Sequence, residues 1–426
     1  MSKIKSLSRL INKIVLLHFY FIIPLLALSQ DSIRTEDLAK FSYDFDIEDG
    51  VFTGAGAEIL MEAVTGAHIL MLGNNSRNQM ESELDLALAP LLNKYNYNTL
   101  VMEIGSASAQ VANRLSTDPT KIIEEIKKLN QSYFFEADGL LFMPIPDLKY
   151  LGTGELLRYT KDQNWSFAGI GTESWTSYKM ILAELYKNLT AQEQKVTSKE
   201  YQASILLLDI LYSEMSGQSN SDLLKLCEGL KKSKAFNKFL DQARKNDDNL
   251  EILESLNFSI DYWWKYGKKE FYEKNNLNFK RNKVLLKKEL VALNYNFEED
   301  KLFLKMYRDH LAKGVTPNGF YGVGNMLMEL ADYNGRESLT IGVLGRFTEH
   351  ENGITDILEN DVYVPSAHQP FIRLGQKDVW TLVDLRPFNK VFYWGNYVQT
   401  VGMQNMMRRY DLIIIPKADR KAEVNH

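Results

Sequence analysis

The stretch His68–Gly105, HILMLGNNSRNQMESELDLALAPLLNKYNYNTLVMEIG, constrains the fold more than any other part of the chain. Ile69–Leu72 is a short apolar run that stops at Gly73. Met80–Tyr95 carries Leu84, Leu88, Leu91 and Leu92 at helical spacing, with charges on the opposite face. Thr99–Met102 is a second apolar run, and it ends on a carboxylate, Glu103. Two short buried runs flanking one helix describe a βαβ unit with parallel strands. In sheets of that kind, ligands bind beyond the carboxyl ends of the strands. Gly73–Arg77 and Glu103 therefore belong on one rim, and an active site is expected there.

The rest of the chain extends this pattern. Ser32–Lys40 reads as a helix start, with Thr35 as N-cap and Glu36 and Asp37 in the first turn. Glu58–Val64 is a short helix leading into the first strand. Helices follow at Thr120–Asn130 and Gly154–Lys161, and Ser166–Gly171 (SFAGIG) is a third buried strand. Phe134–Pro146 is apolar and punctuated by proline, a loop wall rather than a helix. From Ser177 to Leu293 glycine and proline become rare and helical periodicity dominates, over Met180–Leu189, Glu200–Met215, Asp222–Lys231, Lys234–Lys245, Leu250–Tyr266 and Arg281–Leu293. Strand-like runs then return at Lys301–Tyr307, Ser338–Leu344, Val379–Leu385 and Asp411–Ile415. Helices are expected at Gly322–Tyr333 and Met403–Arg409, and an irregular loop over Gly345–Lys377. The expected architecture is α/β: a mostly parallel central sheet with flanking helices and an all-helical insertion. Residues 30–176 and 298–426 form its two halves, and residues 177–297 the insertion or cap.

Bulk properties narrow the class. The 426 residues suffice for one large or two medium domains. A net charge of −5 gives no sign of nucleic-acid binding. A single cysteine, Cys227, excludes an internal disulfide framework, and its place in an amphipathic helix makes it a small buried residue rather than a nucleophile. The N-terminus carries Lys3, Lys5, Arg9 and Lys13 without an acid, then the apolar run Ile14–Leu28. Ala27-Leu28-Ser29 fits a small-x-small cleavage site, so residues 1–29 read as an export signal. The run is short of the ~20 residues that span a bilayer. No cysteine follows the cleavage site, which excludes a lipoprotein. The mature protein is expected to be periplasmic or secreted, with no stable membrane anchor.

Five segments together resemble the erythromycin-esterase-like superfamily, which also takes in ChaN-like haem-binding proteins and, more distantly, Tiki-type proteases. They are LGNNSRN, VMEIG, FAGIGTES, FKRNKVLLK, and the long KMYRDHLAKGVTPNGFYGVGNMLMELADYNGRESLTIGVLG. The closing VDLRP and YDLIIIPKA also look like the family's end. The resemblance implies the same α/β architecture and a hydrolase of ester or related acyl bonds. The carry-over is uneven. Where family members have a glutamate after the first glycine, this chain has Asn74. Where they have a histidine, it has Ser76 and Arg77. Gly171 stands for an aspartate and Asn282 for an acid. Glu103, Glu173, Arg281 and His310 remain.

On that basis Glu103 and His310 are the candidate catalytic pair, the carboxylate orienting the imidazole and raising its basicity. Asn74, Arg77, Arg281 and Glu173 are candidate substrate-binding residues, the arginines offering positive charge to a carbonyl oxygen or a carboxylate. Loss of two proton-transfer groups, each worth about 10²–10⁴ in rate, implies a weak or altered reaction. The alternative is an inactive descendant that binds a small anionic molecule or haem, or an envelope interaction protein using its basic helical segment KYGKKEFYEKNNLNFKRNKVLLKK. No metal or other cofactor is expected from the residues. Haem or a divalent metal enters only through the family resemblance. Glu349-His350-Glu351 is read as an exposed turn, and Gly319-x-x-Gly322-x-Gly324 as a lead into a helix rather than a phosphate loop. His68 is read as a satisfied core histidine and His368 as a loop residue.

Overall fold

A computed structural model describes residues 35–74, 79–137, 139–216, 219–350, 353–359, 364–388, 401–419 and 423–425. The export signal, Ser76 and Arg77 lie outside them. The strands, in chain order, are β1 (Ser42–Glu48), β2 (Val51–Thr53), β3 (Ile69–Asn74), β4 (Tyr97–Gly105), β5 (Phe135–Ala137), β6 (Leu140–Phe142), β7 (Ser166–Gly171), β8 (Lys301–Tyr307), β9 (Ser338–Val343), β10 (Phe347–His350), β11 (Gly353–Asp356), β12 (Trp380–Asp384) and β13 (Leu412–Ile415). Nine of them form one sheet in the order β2-β1-β12-β13-β9-β3-β8-β4-β7. Every pairing from β13 to β7 is parallel; β12, β1 and β2 add an antiparallel edge. The fold is α/β, with helices on both faces.

The βαβ unit is present, with one change. β3 and β4 run parallel but do not touch, because β8, arriving from more than 190 residues later, pairs with both. Leu70 and Leu100 both register against Phe303. The central strands lie between two apolar layers. Leu70, Leu72, Leu100, Met102 and Phe303 face the Gln79–Lys94 helix through Leu84 and Leu88. Ile69, Met71, Val101, Leu302, Leu304 and Met306 face Leu285 and Leu286 of the Phe271–Ala292 helix. Burial on both faces is why these strands read as continuous apolar runs rather than alternating ones.

Between β7 and β8 the described residues form helices only: Tyr178–Lys187, Ala191–Ser213, Asn220–Lys232, Lys234–Ala243, Leu250–Gly267 and Phe271–Ala292, with short 3-10 turns. Two of these begin well before the expected positions. Ala191–Ser213 starts at a capping box in which Thr190 and Glu193 satisfy each other's backbone N–H groups. Phe271–Ala292 begins with a turn whose charges leave the apolar stripe weak. The edge strands β1 and β2 were not expected. β1 alternates polar and apolar residues, with Asp44 exposed and Phe45 buried, as an antiparallel strand with one wet face does. Phe134–Pro146 holds the β5–β6 hairpin, and Gly345–Lys377 holds the β10–β11 hairpin and a short helix at Gln369–Ile372. Thr35 is itself helical, within Thr35–Ala39, rather than the capping residue before a helix.

Candidate functional site

Two adjacent parallel strands build the centre of the site. Met102 of β4 registers against Lys305 of β8, so Glu103 comes out beside the end of β8. There the chain turns from Tyr307 into a one-turn helix, Arg308–Leu311, which carries His310. Glu103 holds this junction twice. Its Oε2 accepts the Tyr307 backbone N–H at 2.8 Å, and its Oε1 lies 2.5 Å from His310 Nδ1. The carboxylate sits against Nδ1 as an ion-pair contact, at an angle outside hydrogen-bond geometry, and Nε2 is the imidazole atom left for chemistry. The side chains are 22% and 17% exposed, so water reaches the pair. Phe279 meets the imidazole edge-on at 5.0 Å, and Tyr307 lies at 5.7 Å. Burial presses the His310 pKa down, but the Glu103 carboxylate outweighs it and the net shift is upward.

The glycines of the 319–324 segment explain themselves here. A Cβ on Gly322 would sit 2.5 Å from the His310 carbonyl oxygen, and one on Gly324 would collide with the Leu311 carbonyl. They let the Val323–Tyr333 helix start directly against the His310 turn.

A cavity of about 480 Å³ opens beside Glu103. Its walls come from the β6 hairpin strand and the loop after it (Phe142, Ile145, Asp147, Lys149), from Thr172 and Trp175 after β7, and from Tyr262, Trp263 and Asn278 of the last two helices of the insertion. The lining mixes aromatic rings with a few polar groups, the composition of a small-molecule site. The Tyr262 phenol is held above its ordinary pKa by burial and then by the charge of Glu103.

The other expected site residues are distributed as follows. Asn74 ends β3 in register with Tyr307, half-buried, so β3, β8 and β4 present Asn74, His310 and Glu103 on one rim. Glu173 is fully buried behind Gly105. Its carboxylate accepts the Ala107 N–H at 2.8 Å and the hydroxyls of Ser108 (2.5 Å) and Ser255 (2.8 Å). Its backbone carbonyl accepts from Ser259 and the Trp263 indole. Burial raises its pKa against those hydrogen bonds. Glu173 thus ties the start of the Ser106–Arg114 helix to the Leu250–Gly267 helix. Arg281 pairs with Glu254 at 2.9 Å and lies over the Phe258 ring at 4.4 Å, so its polar partner is on the insertion. Asn282 is buried and its amide donates to the carbonyl of Ile170 at 2.9 Å, fastening the same helix to β7. Arg77 and Ser76 are outside the described residues.

Among the described residues, no three His, Cys, Asp or Glu side chains converge as metal ligands. Cys227 is buried, and burial pushes its thiol up to about 12. His68 departs from expectation: it is half-buried, its Nδ1 has no hydrogen-bond partner, and its pKa is lowered. His368 caps the Gln369–Ile372 turn, with a pKa lowered to about 4 by burial and by Arg308 and Arg409. Phe279, which packs on His310, and Tyr262 and Asn278, which line the cavity, were not anticipated.

By sequence, no protein-family description and no curated protein matches the chain. Solved structures do. An erythromycin esterase mutant in its open conformation is 15% identical, covering 87% of this chain and 95% of that one at a TM-score of 0.49. A protein from Bacillus cereus is 14% identical over 92% and 99%, with a TM-score of 0.44. A succinoglycan biosynthesis protein is 13% identical over 91% and 97%, with a TM-score of 0.48.

Proposed function

We propose that the protein is an exported hydrolase of an ester or related acyl bond, working through Glu103 and His310. The observation that carries this reading is the pair itself: a carboxylate fixed by a backbone N–H, touching Nδ1 of a partly exposed imidazole, at the strand ends beside a cavity. In the proposed reaction His310 Nε2 takes a proton from water as the water oxygen bonds to the acyl carbon. The carbon–oxygen bond to the leaving group then breaks. The imidazolium returns its proton to that oxygen, releasing an acid and an alcohol. Glu103 stabilises the imidazolium and holds the tautomer that leaves Nε2 basic. Asn74 brings an amide, not an acid, to the same rim, which fits a slow reaction.

The test is turnover by the purified mature chain on a panel of esters. Measurable hydrolysis is expected, with Glu103→Gln and His310→Ala each lowering the rate at least tenfold, within the usual worth of a positioned acid or base, about 10²–10⁴. Turnover indifferent to both substitutions, or none across the panel, overturns the reading. Export is part of the same proposal: removal of residues 1–29 should retain the protein in the cytoplasm of an expressing cell. A ligand-binding protein without turnover is the second reading, favoured by the aromatic lining that Phe142, Trp175, Tyr262 and Trp263 give the cavity.

A further inference from the structure

Of the cations on the last two helices of the insertion, Lys265 pairs with Glu270, Arg281 with Glu254 and Lys288 with Glu251, Lys283 donates to the Tyr321 carbonyl, and Lys280 and Lys287 are exposed to water. Lys274 differs. Its ammonium lies 5.0 Å from the ring centroids of both Tyr262 and Tyr266, and among the described residues no carboxylate pairs with it. It is half-buried, and burial alone lowers its pKa, as expected for a cation drawn from water without a counter-charge. Two ring faces attract it but do not neutralise it.

Its position gives this charge a purpose. Lys274 precedes Asn278 by one helical turn, so the two lie on one face. Asn278 and Tyr262 both line the cavity beside Glu103. Phe279, the next residue, packs on His310, and the Lys274 charge acts on that imidazole. An unneutralised ammonium thus stands one turn from the cavity wall, braced by a ring that forms part of that wall. The acids that act on His310 are Glu103, at the end of β4, and Asp309, in the same helical turn.

We propose that Lys274 recognises a negatively charged group, a carboxylate or a phosphate, on the molecule that enters the cavity beside Glu103. The assignment names the substrate class of the proposed hydrolase and so rests on that reading, but it predicts binding that can be measured without turnover. The probes are N-propylsuccinamic acid, its neutral counterpart N-propylsuccinamide, and the phosphonate that replaces the carboxylate, none of which carries an ester. Titration calorimetry on the mature chain should show at least one anionic probe binding tenfold or more tightly than the neutral one. Lys274→Gln should abolish that preference, Lys274→Arg should keep most of it, and added salt should weaken it. Neutral-probe binding and the melting temperature of Lys274→Gln should stay near wild type. Equal binding of all three probes, or an anion preference that survives Lys274→Gln, overturns the proposal even where ester turnover is found. Anion preference without turnover leaves this assignment standing and removes the hydrolase reading.

Discussion

Glu173 is a buried carboxylate without a cation, and its removal should separate two kinds of substitution sharply. Glu173→Ala leaves the Ala107 N–H, 2.8 Å from Oε1, with no acceptor, and also removes the weaker 3.4 Å bond from the Ser108 N–H. The Ser108 and Ser255 hydroxyls can turn to neighbours, since Ser177 Oγ is 3.4 Å from the first and Ser106 Oγ is 3.1 Å from the second. One orphaned buried donor costs about 1–3 kcal/mol. The space left by the side chain adds a further cost of about 1 kcal/mol. Release of the buried charge offsets part of this, so a net loss of about 2–3 kcal/mol is expected. Glu173→Gln keeps a carbonyl for the Ala107 N–H and the Ser255 hydroxyl and lets the Ser108 hydroxyl accept from its amide, so it should stay within about 1 kcal/mol of wild type. The pH dependence supplies a second check. Because burial raises the Glu173 pKa, its folded form holds the proton more tightly than the unfolded chain. The wild type should therefore lose stability relative to Glu173→Gln as pH rises from the unfolded carboxyl value through the raised one. Thermal melts of the three proteins at pH 4.5 and 8 measure both effects. An alanine variant as stable as the glutamine variant, at either pH, would refute the role of this carboxylate in holding the Ser106–Arg114 helix.

Three further outcomes are expected. Lys305 and Asp85 form a buried ion pair in which burial opposes the ammonium but Asp85, with Glu81 and Asp147, outweighs it. Lys305→Met should lose about 3–5 kcal/mol by stranding Asp85, whereas Lys305→Met with Asp85→Leu should recover most of it in denaturant titrations. The His310 pKa is raised, so the acid limb of any ester-hydrolysis profile should titrate above 6.5, the rate rising with pH until the imidazole is neutral. A limb centred at or below 6.5 contradicts that. Thr190→Ala removes one half of the capping box at the start of Ala191–Ser213 and should cost about 1 kcal/mol, seen as faster amide exchange in that helix's first turn.

Much of the scaffold was legible because its signals are local. Strands β3, β4, β7 and β13 are apolar on both faces, and short apolar runs between helices say as much without any tertiary information. The insertion of β8 between β3 and β4 was not legible, since strand order depends on pairing partners far apart in the chain. β1 was missed because its acids belong to an edge exposed on one face. Of the site, Glu103 and His310 could be named from motif order, and their contact depends on the β4–β8 register. Arg281 looked like a site cation because sequence cannot tell which face of a long polar helix a side chain takes. Here Glu254 and Phe258 take it. Lys274 sits in a lysine-rich stretch that reads as a solvated face, and only the packing of Tyr262 and Tyr266 distinguishes it.

The central claim is that the Glu103 carboxylate governs the protonation of His310. An NMR titration of isotope-labelled imidazoles in wild type and in Glu103→Gln addresses it directly. The account predicts a wild-type His310 that titrates above 6.5 and a variant whose pKa falls well below the wild-type value, since burial then acts without the opposing charge. The same His310 pKa in both proteins would contradict it.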